Sequence, residues 1–265
     1  MRREPVVAGA FYDSKPDALT RHIGEMTGKP VKKSKALGII APHAGYMYSG
    51  KVAAQVYAAV EIPKTVIILG PNHTGLGARV SVYPEGTWGT PLGDAVINAE
   101  LAEKILKKCA FAERDTAAHE KEHSIEVHLP FLQYHKKSFD FVPIVLGEPD
   151  LKILRELGSV LAQSVKGKDI LLIASTDLTH YEEAGAARAK DALVLSAIEN
   201  LDPEKLYSEI SDHDISMCGW MPVYTLLHAC KELGAKQGRI IKYMNSGDTS
   251  GDYSEVVGYG GAVII

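Results

Sequence analysis

Cysteine is scarce in this chain: 265 residues hold three, Cys109, Cys218 and Cys230, with no CxxC spacing. An odd, dispersed set argues against a disulfide framework and a structural zinc knuckle, and a reducing, cytoplasmic setting is expected. Long apolar runs are lacking too. Nothing approaches the ~20 consecutive apolar residues that span a bilayer. Met1-Arg2-Arg3-Glu4-Pro5 leads into no apolar segment of signal-peptide length, so no membrane partner is expected. Basic blocks are missing: 29 Lys and Arg face 33 Asp and Glu for a formal charge of −4, which disfavours a nucleic-acid partner. The Gly-rich stretch from Gly86 to Asp94 fits neither a P-loop nor GxGxxG, and no GxSxG elbow occurs. Nucleotide binding and serine hydrolysis therefore gain no support.

What is present is an ordinary globular composition, 46% hydrophobic and 23% charged. No internal repeat, low-complexity tract or linker stands out, so residues 1–265 are expected to form one domain. Short continuous apolar runs alternate with helical periodicity. Ala36-Leu37-Gly38-Ile39-Ile40 ends in Ala41-Pro42-His43, and Thr65-Val66-Ile67-Ile68-Leu69 ends in Gly70-Pro71-Asn72-His73. Asp169-Ile170-Leu171-Leu172-Ile173 runs on through Ser175-Thr176-Asp177 to His180. A fourth run, Phe141 to Leu146, contains Pro143, which cannot donate to a ladder and places the strand near an edge or bulge. Strands without polar alternation are buried on both faces, as in an α/β sheet covered by helices. Helices are expected from Ser49 to Val60, Asn98 to Lys108, Glu120 to Tyr134 and Asp150 to Val165. Others are expected from Glu183 to Asn200, Pro203 to Ile210 and Gly219 to Leu233, and Ser14 reads as the cap of a further one. Two closing strands, Arg239 to Asn245 and Glu255 to Ile265, follow.

In such sheets the ligand crevice lies beyond the carboxyl ends of the strands. Three runs carry His at or just past that end. Loops leaving neighbouring strands would bring His43 and His73 close enough to share one ion, and imidazole suits iron, copper, zinc or nickel. The competing reading of each is a His bonded to local backbone. Asp177 and His180 hold the equivalent place after the third run. Asp177 could orient an imidazole, bind an ion or merely cap a turn, and His180 is a candidate base or proton donor. Cys218 immediately precedes a helix, whose dipole would favour the thiolate. Cys109 and Cys230, inside helical patterns, read as small buried residues. Glu122-His123-Ser124-Ile125-Glu126 is a dense polar cluster but not HExxH; it could support a site from behind its ligands or form a solvated face, and the solvated face is the leading expectation for Glu120, Lys121 and Glu122.

These motifs, with Ala8-Gly9-Ala10-Phe11-Tyr12, Glu122 through Pro130 and Cys218-Gly219, resemble the Memo-like family over nearly the whole chain. That family includes component B of the AmmeMemoRadiSam group and is similar to the class III extradiol dioxygenases. The resemblance implies a single α/β domain whose mixed sheet is covered by helices, in the LigB-like manner. It implies a non-haem Fe(II) site, with Cu or Zn possible in its place, in which His43 and His73 match the two His ligands and Cys218 stands where the dioxygenases have Glu. It places Asp177 and His180 in the same pocket, His180 near the dioxygenase base. It suggests a radical-SAM protein and an Amme-domain protein as partners. A thiolate in place of a carboxylate softens the site and exposes it to oxidation, so ring-cleaving activity does not follow from the fold. Three functions compete: a metal-dependent oxidoreductase, a module binding a peptide, small molecule or partner protein, and a thiol hydrolase with Cys218 as nucleophile and His180 or His123 as base.

Overall fold

The four continuous apolar runs lie side by side at the centre of one sheet, since a strand with no polar alternation has no face to offer water. The computed structural model describes residues 1–29 and 31–265. The first half of the chain forms β1 (Arg2–Arg3), α1 (Pro16–Thr27), β2 (Gly38–Ala41), α2 (Tyr46–Ala58), β3 (Thr65–Pro71), β4 (Val80–Val82), β5 (Thr87–Thr90) and β6 (Gly93–Ile97). It continues with α3 (Ala99–Lys108), β7 (Glu113–Arg114), α4 (Ala117–Glu120) and α5 (Leu129–His135). The second half adds β8 (Asp140–Leu146), α6 (Leu151–Val165), β9 (Ile170–Ser175), β10 (His180–Glu182), α7 (Ala184–Glu199) and α8 (Pro203–Asp212). It closes with α9 (Trp220–Glu232), β11 (Gly238–Asn245), α10 (Gly247–Ser250) and β12 (Val256–Ile264).

Strands β8, β3, β9 and β2 run parallel in that spatial order. Strand β12 joins β2 antiparallel and pairs with β11, so the sheet, twelve strands among the described residues, is mixed. Alternate residues feed opposite cores. Ile40, Ile67, Leu69 and Leu172 meet Ile105, Leu157, Leu161 and Leu226 of α3, α6 and α9. Ile39, Val66, Ile68 and Ile173 meet Leu19, Ile23, Tyr57 and Leu132 of α1, α2 and α5. Each of these buried aliphatic side chains contributes ~1.5–3 kcal/mol. The expected single α/β domain with a mixed, helix-covered sheet is what the chain forms. No helix among the described residues is long and apolar enough to cross a membrane.

Four local expectations need correction. Strands β2 and β3 are not neighbours; β9 fills the gap between them, and nothing local in the sequence marks that insertion. Pro143 is not at an edge, because its strand is flanked by β3 throughout. On the other side β6 pairs with β8 only up to Phe141 and β4 takes over at Ile144, so the missing N–H faces the junction, and the Pro143 carbonyl accepts from Tyr83 N at 3.3 Å. Ser14 does not cap α1; Pro16 occupies its first turn and Lys15 is the N-cap, with no side-chain bond. The single helix expected from Glu120 to Tyr134 is broken into α4, an irregular segment, a 3-10 turn (Glu126–His128) and α5. Three of its polar side chains, Glu122, Ser124 and Glu126, are buried and bind backbone. Glu122 Oε1 accepts the N–H groups of both His123 and Ser124, taking donors that a helix would have used.

The broken segment is held by the N-terminus. Arg3 donates to Glu126 Oε2 (2.7 Å), to the His119 carbonyl (2.7 Å) and to the Glu122 carbonyl (2.6 Å). Its guanidinium also lies 4.1 Å from the centroid of the Trp88 ring. Glu126 accepts further from the Val6 and Val7 N–H groups and from the Tyr12 hydroxyl. Both ion-pair partners are buried, their side chains 4% and 0% exposed. Removing one partner of such a pair leaves an uncompensated charge, so Arg3→Met is expected to cost about 3–5 kcal/mol by urea denaturation. A loss below about 1 kcal/mol would show that this pair does not anchor the segment.

Candidate metal centre

Three strand ends and one helix start converge. Chain leaving β2 carries His43, chain leaving β3 carries His73, chain leaving β9 carries Asp177, and Cys218 lies just before α9. Two glycines permit the approach. A Cβ on Gly219 would lie 2.1 Å from the Ser175 carbonyl oxygen, and one on Gly70 would lie 2.6 Å from Ser124 Oγ. One ligand atom each from His43, His73 and Cys218 lies within 4.8 Å of the others. Cys218 Sγ is 3.3 Å from His43 Nε2, and the two imidazole centroids are 5.1 Å apart. His43 is buried and His73 about a third exposed.

Hydrogen bonding assigns the imidazole protons. The Ser175 hydroxyl has one proton, and it goes to the Ser124 carbonyl at 2.6 Å, a group that only accepts. Ser175 Oγ must therefore accept from both His43 Nδ1 (2.7 Å) and His128 Nε2 (2.8 Å). His43 thus carries its proton on Nδ1, and its Nε2 lone pair faces the thiol. Burial, together with the surrounding His73, His123, His128 and His180, holds the His43 pKa well below its usual value, so the ring is neutral. His73 is fixed the same way by a carboxylate. Its Nδ1 donates to Glu122 Oε1 at 2.9 Å and its backbone N–H to Oε2 at 2.6 Å. Burial pushes Glu122 up, but its bonds to His73 and Ser124 outweigh that and hold the carboxyl at about 2. On His73 burial acts downward, but the bond and charge of Glu122, with Asp177, raise its pKa.

Cys218 departs from expectation. Burial first, then the nearby Asp177 carboxyl, push its thiol pKa far up, and Gly219 rather than Cys218 is the N-cap of α9. The helix dipole does not prevail against burial and the nearby negative charge. Without an ion, Cys218 is a neutral thiol donating to the neutral His43 Nε2 while Sγ accepts the Asp177 N–H at 3.3 Å.

Asp177 is brought to the site. Its Oδ1 accepts the backbone N–H of His43 at 2.9 Å, and Oδ2 lies 3.9 Å from His43 Nε2. Burial raises its carboxyl to about 6 against the lowering effect of the His43 N–H bond. His123 is brought in as well, stacked on His73 with centroids 4.8 Å apart and 5.5 Å from His43. His180 sits at the edge of the group. Its main chain is bonded to Ser216, its ring packs edge-on to Tyr181, and its buried Nδ1 has no partner among the described residues. Glu122 contradicts the solvated-face expectation, being 1% exposed. Glu122 takes the supporting role that was the lesser of its two expectations, while sequence reasoning misses Ser175 and His128; a lone serine closing an apolar run is the one visible sign of them. Cys109 and Cys230 are buried and lie apart from the group, as expected. A cleft of about 560 Å³ opens on His73 and Cys218, walled by Ile215, Met217, Trp220 and Met221. A hollow of about 520 Å³ lined by Gln55, Lys32 and Arg239 contains none of the candidate residues.

The chain matches the family model described as Memo-like protein over residues 3–263. A MEMO1 family protein of Aquifex aeolicus is 44% identical over 265 residues, 99% of either chain. MEMO1 family proteins of Thermotoga neapolitana and Methanopyrus kandleri are 45% identical over 281 residues (100% of both chains) and 42% over 279 (99% of both chains). Among solved structures, an uncharacterized Escherichia coli K12 protein superimposes with a TM-score of 0.59 over 85% of this chain and 99% of its own, at 13% identity. That is a likeness of fold alone.

The buried supporting histidine has a consequence for stability. Burial lowers the His128 pKa from 6.5 to about 3. The unfolded chain therefore binds a proton there that the folded one refuses, so the associated stability is complete above about pH 6.5 and declines as pH falls towards about 3, at ~1.4 kcal/mol per pH unit. His128→Gln is expected to flatten the dependence of unfolding free energy on pH by about one proton between pH 6 and 4. An unchanged slope would contradict the assignment.

Proposed function

Because the chain belongs to the Memo-like family, we propose that His43, His73 and Cys218 hold one transition-metal ion and that the protein is a metal-dependent oxidoreductase. Iron(II) is the ion put forward first, with copper and zinc as competitors. One observation carries the reading: two imidazoles have their Nδ1 protons fixed by Ser175 and Glu122, so that both Nε2 atoms are left for an ion beside a sulfur. Such outer partners are what metal-ligating histidines ordinarily have. An imidazole pair with a thiolate is also a donor set that iron, copper and zinc accept.

A bound ion supplies Lewis acidity and, for iron or copper, a one-electron couple. The chain's own residues do the rest. Asp177 fixes the loop of His43 through the backbone N–H bond, and Glu122 keeps His73 turned inward. His123, stacked on His73, and His180, whose Nδ1 has no partner among the described residues, are the groups available to move protons. The thiol-hydrolase alternative has little to stand on, since Cys218 is a neutral thiol and its imidazole neighbour is His43 rather than His180 or His123.

Metal analysis of anaerobically prepared protein, never exposed to an immobilised-metal column, tests this. About one equivalent of a single transition metal is expected, lost in His73→Ala and in Cys218→Ser. In Ser175→Ala the ligands remain but affinity should fall about 10–100-fold. His22→Ala, at a surface pair with Asp13, should change nothing. A wild-type chain that takes up iron, copper and zinc no better than His43→Ala would sink the oxidoreductase reading and leave that of a binding module.

A further inference from the structure

The cleft beside Cys218 has a one-sided character. Its walls are largely apolar, with Ile210, Ile215, Met217, Met221 and the half-buried Trp220 on the α8–α9 side. Trp220 is braced by Tyr207, their ring centroids 5.4 Å apart. Apart from His73 and Cys218 at its base, one ionisable residue lines it: Glu148, in the turn between β8 and α6. Glu148 is exposed and forms no ion pair among the described residues. Its backbone sits at a φ of 53°, a conformation that non-glycine residues seldom adopt and that clusters at ligand sites. An unpaired carboxylate at the mouth of a cleft attracts cations and repels anions. An indole flanked by two flexible thioethers suits an aromatic or apolar body, and an indole face also attracts an ammonium group.

We propose that this cleft binds a small organic cation with an aromatic or apolar body, its charge on Glu148 and its body against Trp220, Met217 and Met221. The identification of this cleft as a substrate site rests on the metal-centre reading; the binding itself does not. A cation carried by an apolar body meets both features of the cleft at once, whereas an anion is opposed by Glu148 and a small polar molecule leaves the apolar wall uncovered.

Trp88 is fully buried, so ligand-induced changes in tryptophan fluorescence report on Trp220. The metal-free full-length chain is titrated at neutral pH with phenethylamine, phenethyl alcohol and hydrocinnamate, which share a phenyl body and differ in charge. The ammonium compound should bind about five-fold tighter than the alcohol, the scale of one half-exposed ion pair, and the carboxylate weakest. Glu148→Gln should remove the ammonium advantage while leaving affinity for the alcohol unchanged, which also reports an intact cleft. Equal affinities in the wild type, an advantage that survives Glu148→Gln, or no saturable binding would overturn the proposal. The titration is repeated on zinc-loaded chain. Cation preference without metal uptake would sink the metal-centre reading alone, and metal uptake without cation preference would sink this one alone.

Discussion

The Ser175 hydroxyl has a single proton, and where that proton goes orders the centre of the molecule. Given to the Ser124 carbonyl, it obliges His43 and His128 to be donors and leaves His43 with its Nε2 lone pair directed at Cys218. The same atom joins three parts of the chain: the end of β9, the loop after β2 and the irregular segment before α5. Glu122 does the matching task for His73, with four bonds from one carboxylate to the ring, to its backbone N–H and to its own neighbours. The candidate ligands are oriented by groups further inside, and those groups are reached only because the chain leaves helical form between Lys121 and Ile125.

That abandonment is costly and explains why the segment is tied down so heavily. Glu122, Glu126, Ser124 and His128 are all essentially inaccessible to water. A buried carboxylate survives only with its acceptor sites filled. Arg3, the Val6 and Val7 N–H groups and the Tyr12 hydroxyl fill those of Glu126. The N-terminal residues are thus part of the support for the site, though they contribute no candidate ligand. Two members are left short of partners among the described residues: His128 at its Nδ1, and His119, buried between Tyr83 and Trp88, at both ring nitrogens. Burial lowers the His119 pKa to about 3, which keeps that ring neutral beside Arg3.

The sheet was legible because its central strands are continuous apolar runs, and the histidines were legible because they sit where those runs stop. What was not legible follows from physical causes. Helical spacing in Glu120 to Tyr134 is real as a pattern, yet side chains that capture backbone N–H groups override it, and no periodicity reports which partner a glutamate will meet. The insertion of β9 between β2 and β3 is a long-range pairing with no local mark. Cys218 lies 175 residues from His43, so spacing was silent on its placement. Its place before a helix marked it as a candidate thiolate, and the resemblance to Memo-like proteins put it beside the histidines. Glu122 was misread for the reverse reason: in a run of charged residues, exposure is the ordinary outcome.

The state of Cys218 bears on what kind of site this is. A cysteine meant to attack an electrophile is placed where positive charge favours its thiolate. Here the surroundings do the opposite, with burial and the Asp177 carboxyl both acting against ionisation. Yet the sulfur lies 3.3 Å from the His43 Nε2, whose ring proton is on the far nitrogen, and a ligand atom of His73 is within 4.8 Å. An environment that resists the lone anion while holding three potential donor atoms within 4.8 Å of one another is satisfied without an ion by a thiol–imidazole hydrogen bond, and on the proposed reading it would become a ligand set if a cation took the place of the thiol proton. On that reading the hydrogen bond between Cys218 and His43 would be the form of the site without an ion, and the same geometry would serve both states.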